Sequence, residues 1–391
     1  MKIETLLCIC LALILVTLLV VFIIRLATGN SNGCAGSLNC NNDDGLNHCC
    51  YKFQNYTVKP LVSDIPGMAP LVNADVANPW GIVCNPGTDE LWVAQSLAGC
   101  LTLLTTDGAA VLNVHVPPSS NSLSDTGSPS GVVTVPLSLQ EENAFLLGTT
   151  GPTNTGPAQV ITVTQDGLIC AYNQNNQSNP SSVTVIKDNS ASNAVYKGCA
   201  ITNAGRFYAT NFFNGRIEVY DTKWNLETTL SDSIMLSLGY SPFGILCHDN
   251  ALYVSFALQS GVDQSVDLSG DGNGFILVYD LNGQLLKRLV SRGVLNSPWG
   301  MVVYHKHLFV GNSGDGIVNV FDRCSGRYIG SLLSRCRVPV VVEGLKGLLL
   351  NVQHSNLVCQ KKCQSCSKGF YFTAGINNGT SGLIGKIQRY R

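Results

Sequence analysis

Residues 297–322 read SPWGMVVYHKHLFVGNSGDGIVNVFD. A Pro-x-Gly opens the stretch. Two short apolar runs, MVV and LFVG, lead to a Gly-rich turn. An alternating run, IVNVFD, follows with the period of two expected of a strand that has one wetter face. The same order of features recurs at 241–257, SPFGILCHDNALYVSFA, and at 78–95, NPWGIVCNPGTDELWVAQ.

Aligning the turn before each apolar run yields a series: Pro79-Trp80-Gly81, Pro129-Ser130-Gly131, Tyr196-Lys197-Gly198, Pro242-Phe243-Gly244, Pro298-Trp299-Gly300 and Leu345-Lys346-Gly347. Successive glycines are 50, 67, 46, 56 and 47 residues apart. A degenerate period near 50 with short strands is the mark of a propeller or solenoid. The predicted second strands are ELWVAQ, NAFLLGTT, RFYATN, ALYVSFA, HLFVGN and GFYFTAG. The predicted third strands are CLTLLTTDG, QVITVTQDG, RIEVYDTKWN, FILVYDLNG, IVNVFDRCSG and LIGKIQRY. Asp-Gly and Asn-Gly pairs supply the positive φ for turns into a fourth strand. Six such units make an all-β, six-bladed β-propeller. The sixth unit runs out after its third strand, so YTVKPLV at 56–62 is predicted to close the ring as the outer strand of the last blade, which removes a sheet edge. Gly81 and Gly300 are read as turn residues leading into the innermost strands.

Composition agrees with a turn-rich all-β chain: 391 residues, 39 glycines, and only 13% charged residues. The formal net charge is -1, and no basic run with interleaved aromatics occurs, so nothing points to nucleic acid. Residues 6–24, LLCICLALILVTLLVVFII, form an uncharged apolar block long enough to span a bilayer. The expected organisation is a short cytosolic tail at 1–5, a transmembrane helix acting as signal-anchor at 6–25, a Cys-rich stalk at 26–54 and the propeller at 55–391. Ala27-Thr28-Gly29 offers a cleavage site, in which case the protein would be secreted. Fourteen of the 16 cysteines lie beyond the apolar block. Three glycosylation sequons begin at Asn55, Asn176 and Asn378. Together these favour a lumenal or extracellular propeller.

NPWG, DNSASNAVYKG, NGFILVYDLNGQLLKRLVSRGVLNSPWG, LFVGNSGDGIVNVFD and YFTAGINNGTSGLIGKI resemble segments of a set of uncharacterised secreted propeller proteins found mostly in bacteria, distantly similar to NHL-repeat propellers. The likeness runs from about Pro60 to Ile387. It implies a six-bladed propeller outside the cytoplasm and implies no activity. The apolar block, the Cys-rich segment and CQKKCQSC at 359–366 depart from that pattern.

Several constellations carry candidate chemistry. Cys34, Cys40, Cys49 and Cys50 are expected to form two disulfides in the stalk rather than a metal knot. Cys359, Cys363 and Cys366 are expected to brace an insertion by disulfides. A zinc site would need a fourth ligand from His354 or Cys336. His305 and His307 share one face if extended, but the stretch reads better as a hairpin turn. Asp263, Asp267, Asp271 and Asn273 place oxygen ligands at short spacing without the EF-hand pattern, a candidate calcium set. No catalytic residue is assigned, because no nucleophile motif occurs.

The inner-strand turns put Trp80, Phe243 and Trp299 near the channel mouth, with Asn211 and Asn312 in short links beside them. Links between second and third strands read as long in blades two, four and six, on the mouth face. The expected function is therefore a membrane-anchored, extracytoplasmic binding module for a protein or a small molecule. A propeller hydrolase or lyase with a channel metal, or a structural surface display protein, stands as the alternative.

Overall fold

The computed structural model describes residues 53–148, 156–174, 180–351 and 369–390. The apolar block and the stalk cysteines fall outside these residues, as do Asn176, Cys359, Cys363 and Cys366. Among the described residues no helix is long and apolar enough to cross a membrane.

Five four-stranded sheets each run in sequence order from an inner strand to an outer one. The inner strands are Pro79–Cys84, Pro129–Thr134, Tyr196–Ile201, Tyr240–His248 and Pro298–Tyr304. The sixth blade begins with Leu345–Leu350 and takes its outer strand, Tyr56–Ser63, from the other end of the chain. That strand pairs antiparallel with Leu383–Arg389, from Tyr56 opposite Arg389 to Ser63 opposite Leu383. The ladder shifts register between Pro60 and Val62. A bulge suits Pro60, which has no N–H to donate. Leu71–Val72 adds a short parallel strand beyond it. The ring is thus closed as the sequence predicted.

Blade two departs from expectation. Its second strand is Val160–Thr164, its third Leu168–Tyr172 and its outer strand Thr184–Asp188. The described part of NAFLLGTT, residues 143–148, is not a strand. It follows a five-residue helix, Leu137–Glu141, and leaves the blade. Asn143 and Phe145 both have φ of 56°, which breaks an extended run. Phe145 is fully buried against Trp224 of blade three, ring centroids 4.9 Å apart. The Trp224 indole N–H in turn donates to the Leu146 carbonyl at 3.0 Å. Phe145 therefore fills a gap between blades instead of joining a ladder.

The six inner-strand glycines explain the repeat. A β-carbon on Gly81 would stand 2.7 Å from the Ser130 carbonyl oxygen, and one on Gly347 2.6 Å from that of Trp80. A β-carbon on Gly131 or Gly198 would likewise stand 2.8 or 3.0 Å from the next inner strand, and one on Gly244 or Gly300 closer still. None of the six has positive φ. The glycines serve close approach of neighbouring backbones around the hub, and not a turn as the sequence reading had it.

Side chains between blades form the core. Phe309, Phe370 and Phe372 pack between blades five and six, and Tyr208, Phe256 and Tyr279 between three and four. Each such side chain contributes about 1.5–3 kcal/mol by leaving water. Cys84, Cys100, Cys170, Cys199, Cys247 and Cys336 are free thiols. Burial pushes the Cys100 thiol up to about 11, so at neutral pH it packs as a small apolar side chain. Cys324, by contrast, is disulfide-bonded.

Candidate functional site

Every inner strand slips register against its neighbour at the same place. In blade one Pro79 faces Gln95 and Ile82 faces Val93, which leaves Trp80-Gly81 as a bulge. The same slip frees Ser130, Lys197, Phe243, Trp299 and Lys346. A bulge re-aims the side chain it carries. Six equivalent positions therefore ring the hub with three aromatic rings, one hydroxyl and two ammonium groups.

The three aromatic candidates come together. Trp80 meets Trp299 edge-on with centroids 5.6 Å apart and Phe243 at 6.2 Å. Phe212 joins them at 5.2 Å from Phe243. Blades one and four are three steps apart in a ring of six, so the contact between Trp80 and Phe243 spans the axis. All three hub rings are buried. Edge-to-face pairs are each worth about 0.5–1.5 kcal/mol beyond area burial.

Two ammonium groups lie over Trp80: Lys346 Nζ is 4.6 Å from the ring centroid and Lys197 Nζ 5.2 Å. Lys197 is only 4% exposed, and its ammonium donates to Gln165 Oε1 at 2.6 Å. Gln165 in turn donates to Ser96 Oγ at 2.9 Å. Burial lowers the Lys197 pKa to about 8. Asp267 and Asp263 oppose that shift, and Lys346 adds to it. Burial also lowers the pKa of Lys346, again against Asp267. Neither lysine closes an ion pair among the described residues; the two aspartates act at a distance, from the link between the second and third strands of blade four.

Buried polar atoms without partners gather at the same ends of the strands. They include Trp80 Nε1, Trp299 Nε1, both side-chain amide atoms of Gln95, Ser241 Oγ and Ser313 Oγ. An unmet buried donor or acceptor costs about 1–3 kcal/mol. Such a concentration is typical of a site that binds something.

The other sequence candidates lie elsewhere or do other work. Asn211 turns into blade three, where its amide donates to Glu218 Oε1 at 2.9 Å. Asn312 donates to the Val294 carbonyl at 2.8 Å and to Asp315 at 3.1 Å. Both fix links within their own blades. His305 and Lys306 form the hairpin turn, and His307 packs edge-on against Phe53 at 5.3 Å. Asp263 accepts from the Ser265 backbone at 2.9 Å, and Asn273 donates to the Leu268 carbonyl at 3.1 Å. Among the described residues no three metal-ligating side chains converge. Asn55 and Asn378 are exposed. Sequence reasoning missed Lys197, Lys346 and Gln95. The signal was present, since both lysines hold the middle place in the same triplets that singled out Trp80.

Strand direction alternates, so links into inner strands and links between second and third strands share the mouth face. The link into every inner strand except that of blade three exposes an aliphatic side chain: Met68, Leu123, Leu238, Val294 and Val341. Val262 of the blade-four link is fully exposed. Among the described residues, links on the opposite face expose only Leu137, with Tyr390 beyond the last strand. The long blade-four link, 259–274, joins the second and third strands of its blade. Blade two's long link does not. Its second and third strands are joined only by Gln165-Asp166-Gly167, and its long connection joins the first strand to the second.

No protein-family model matches the chain. Two uncharacterized proteins of Acanthamoeba polyphaga mimivirus are each 27% identical to it over 346 residues, spanning 85% of this chain and 80% and 85% of their own lengths. A third from the same virus is 31% identical over 231 residues, which is 56% of this chain and 41% of its own. The resemblance read from the motifs pointed to bacterial proteins, whereas these relatives are viral. Among solved structures, virginiamycin B lyase from Staphylococcus aureus is 11% identical with a TM-score of 0.44, covering 85% of this chain and 99% of that one. A chain of a nidogen/laminin complex is 12% identical with a TM-score of 0.45, covering 70% and 84%. At these values the propeller assignment rests on the strand pairing itself.

Proposed function

We propose that this chain is a binding propeller that docks a partner protein on its mouth face and is held outside the cytoplasm by its N-terminal apolar segment. The segregation to one face of the exposed aliphatic side chains carried by the links, with Val111, Val185 and Leu226 exposed on outer strands, carries the reading. Single exposed apolar residues are ordinary, but a set ringing one end of the molecule marks an interaction surface. Closely packed rings at the hub and orphaned polar groups around them supply the dry centre and the specific contacts that an interface core uses. The anchoring rests on the uncharged block at 6–24, and the extracytoplasmic placement on the sequons at Asn55 and Asn378.

The test places a photoreactive residue at Leu123, at Val262 or, as a control on the opposite face, at Lys223, in the full chain on its native membrane. Adducts of one defined extra mass are expected from Leu123 and Val262 and not from Lys223. They should vanish when Val338→Glu and Val341→Glu are added. Adducts of twice the chain's own mass would mean a second copy. Equal yields from both faces would remove the mouth face as the docking surface.

A further inference from the structure

Resting on that docking reading, we infer that the hub receives a carboxylate from the partner, an Asp or Glu side chain presented by an apolar loop. The hub holds Lys197 and Lys346 over Trp80, and among the described residues neither closes an ion pair. Lys197 spends one donor on Gln165. Trp80 and Trp299 each hold an unused indole N–H, and the Gln95 amide is unused at both ends. Donors therefore dominate, and the two fixed charges are positive. A cationic group would be repelled. A neutral group would leave the two ammonium charges with only the distant Asp263 and Asp267 to offset them. An acceptor-only anion satisfies both needs, and charge-assisted hydrogen bonds are the strong ones.

The docking reading selects among anions. Ring centroids 5.6 and 6.2 Å apart put Trp80 in edge-on contact with Trp299 and Phe243, so the rings close the hub beside the two lysines. A protein partner presents an acceptor-only anion most directly as an Asp or Glu carboxylate. The surrounding aliphatic rim then meets apolar residues on both sides of the acid. Asp263 and Asp267, on the blade-four link, are the standing counter-charges that the incoming acid would supplement or displace.

The full chain in detergent is titrated with N-acetylglutamate, N-acetylglutamine and inorganic phosphate at fixed ionic strength, with tryptophan fluorescence as the readout. N-acetylglutamate should give a saturable change with at least fivefold tighter binding than the amide. Lys346→Met should weaken it about tenfold, as loss of a charge-assisted contact does. Lys197→Met should do the same, so the result does not hang on one variant. Equal responses to acid and amide, or an acid response that survives both substitutions, would overturn the inference. Phosphate binding as tightly as the acid would overturn the choice of carboxylate. A Lys346-dependent acid response alongside failed crosslinking would leave the hub site standing and remove the docking face. Face-specific crosslinking without an acid response would do the reverse.

Discussion

Gly347 of blade six lies against the carbonyl oxygen of Trp80 of blade one, so close that a β-carbon would stand 2.6 Å away. This contact closes the ring at the hub, and the Thr373 hydroxyl bridges it by donating to the same Trp80 carbonyl while accepting from the Gly347 N–H. Gly347→Ala must push the two inner strands apart. Overpacking of this kind costs about 1–3 kcal/mol. Gly261→Ala is the control, since nothing lies within 4 Å of the position and its φ is not positive. Denaturant midpoints should fall for Gly347→Ala and stay put for Gly261→Ala. Equal midpoints would mean the hub backbones have room to spare.

The outer seam of the same blade is the strand Tyr56–Ser63. Removing residues 52–64 uncovers the full edge of Leu383–Arg389 and strips Leu61 and Val62 from the core. An unpaired edge of that length templates pairing with other chains. Light scattering should show aggregation of the shortened chain at concentrations where the intact chain is clear. A shortened chain that stays monomeric and melts at the same temperature would contradict the closure.

How much of this was legible follows from what each residue answers to. The Gly series and the closing strand answer to local pattern, and both were read from the sequence. Phe145 answers to Trp224, nearly eighty residues away, so its apolar run passed for a strand while the short strand Leu168–Tyr172 went unread. The hub triplets were found, but their aromatic members drew attention and the lysines did not. A lysine is ordinarily a solvated surface residue. Only the ring geometry shows that Lys197 is buried beside Trp80. Asn211 looked like a mouth residue because its link is short, yet the carboxylate that claims it, Glu218, is on the neighbouring strand.

Glu218 offers a stability prediction. It is 1% exposed and accepts from the Tyr196 hydroxyl at 2.6 Å, the Tyr220 hydroxyl at 2.8 Å and the Asn211 amide at 2.9 Å. Arg216 adds an ion pair at 2.8 Å. Burial raises the carboxyl pKa, but the hydrogen bonds from Tyr196, Asn211, Arg216 and Tyr220 outweigh it and hold the pKa below the ordinary value. With a depressed folded pKa, the contribution is present above the unfolded pKa and is lost as pH falls through the folded one. Glu218→Gln leaves hydroxyl donors facing an amide and should cost about 2–4 kcal/mol at neutral pH, in line with breaking a buried charged network. The deficit should shrink on acidification. A deficit that is constant from neutral pH to the acid limit would show that the charge is not what holds blade three together.

Lys197 titrates with the opposite consequence. Burial lowers its folded pKa to about 8, while Asp267 and Asp263 from the blade-four link and Lys346 from blade six are the charges that face it. In the unfolded chain the lysine keeps its proton to about 10.4. Below about 8 both states are protonated, and the cost of burying the charge is fully present. Between about 8 and 10 the unfolded chain binds more protons than the folded one, so this group makes stability rise with pH. Lys346 is shifted in the same direction and adds the same sign. Comparing wild type with Lys197→Met isolates the term, because other groups titrate in both. The difference in unfolding free energy between wild type and variant should move in favour of wild type as pH rises through that window. Carboxylate binding should respond in the opposite sense, since the site needs the charged ammonium. Affinity of the wild type for N-acetylglutamate should fall above about pH 8, and the Lys197→Met chain should show a flatter profile. An affinity that holds steady from pH 7 to 10 in the wild type, with Lys197→Met indistinguishable from it, would show that Lys197 is no part of the anion's reception.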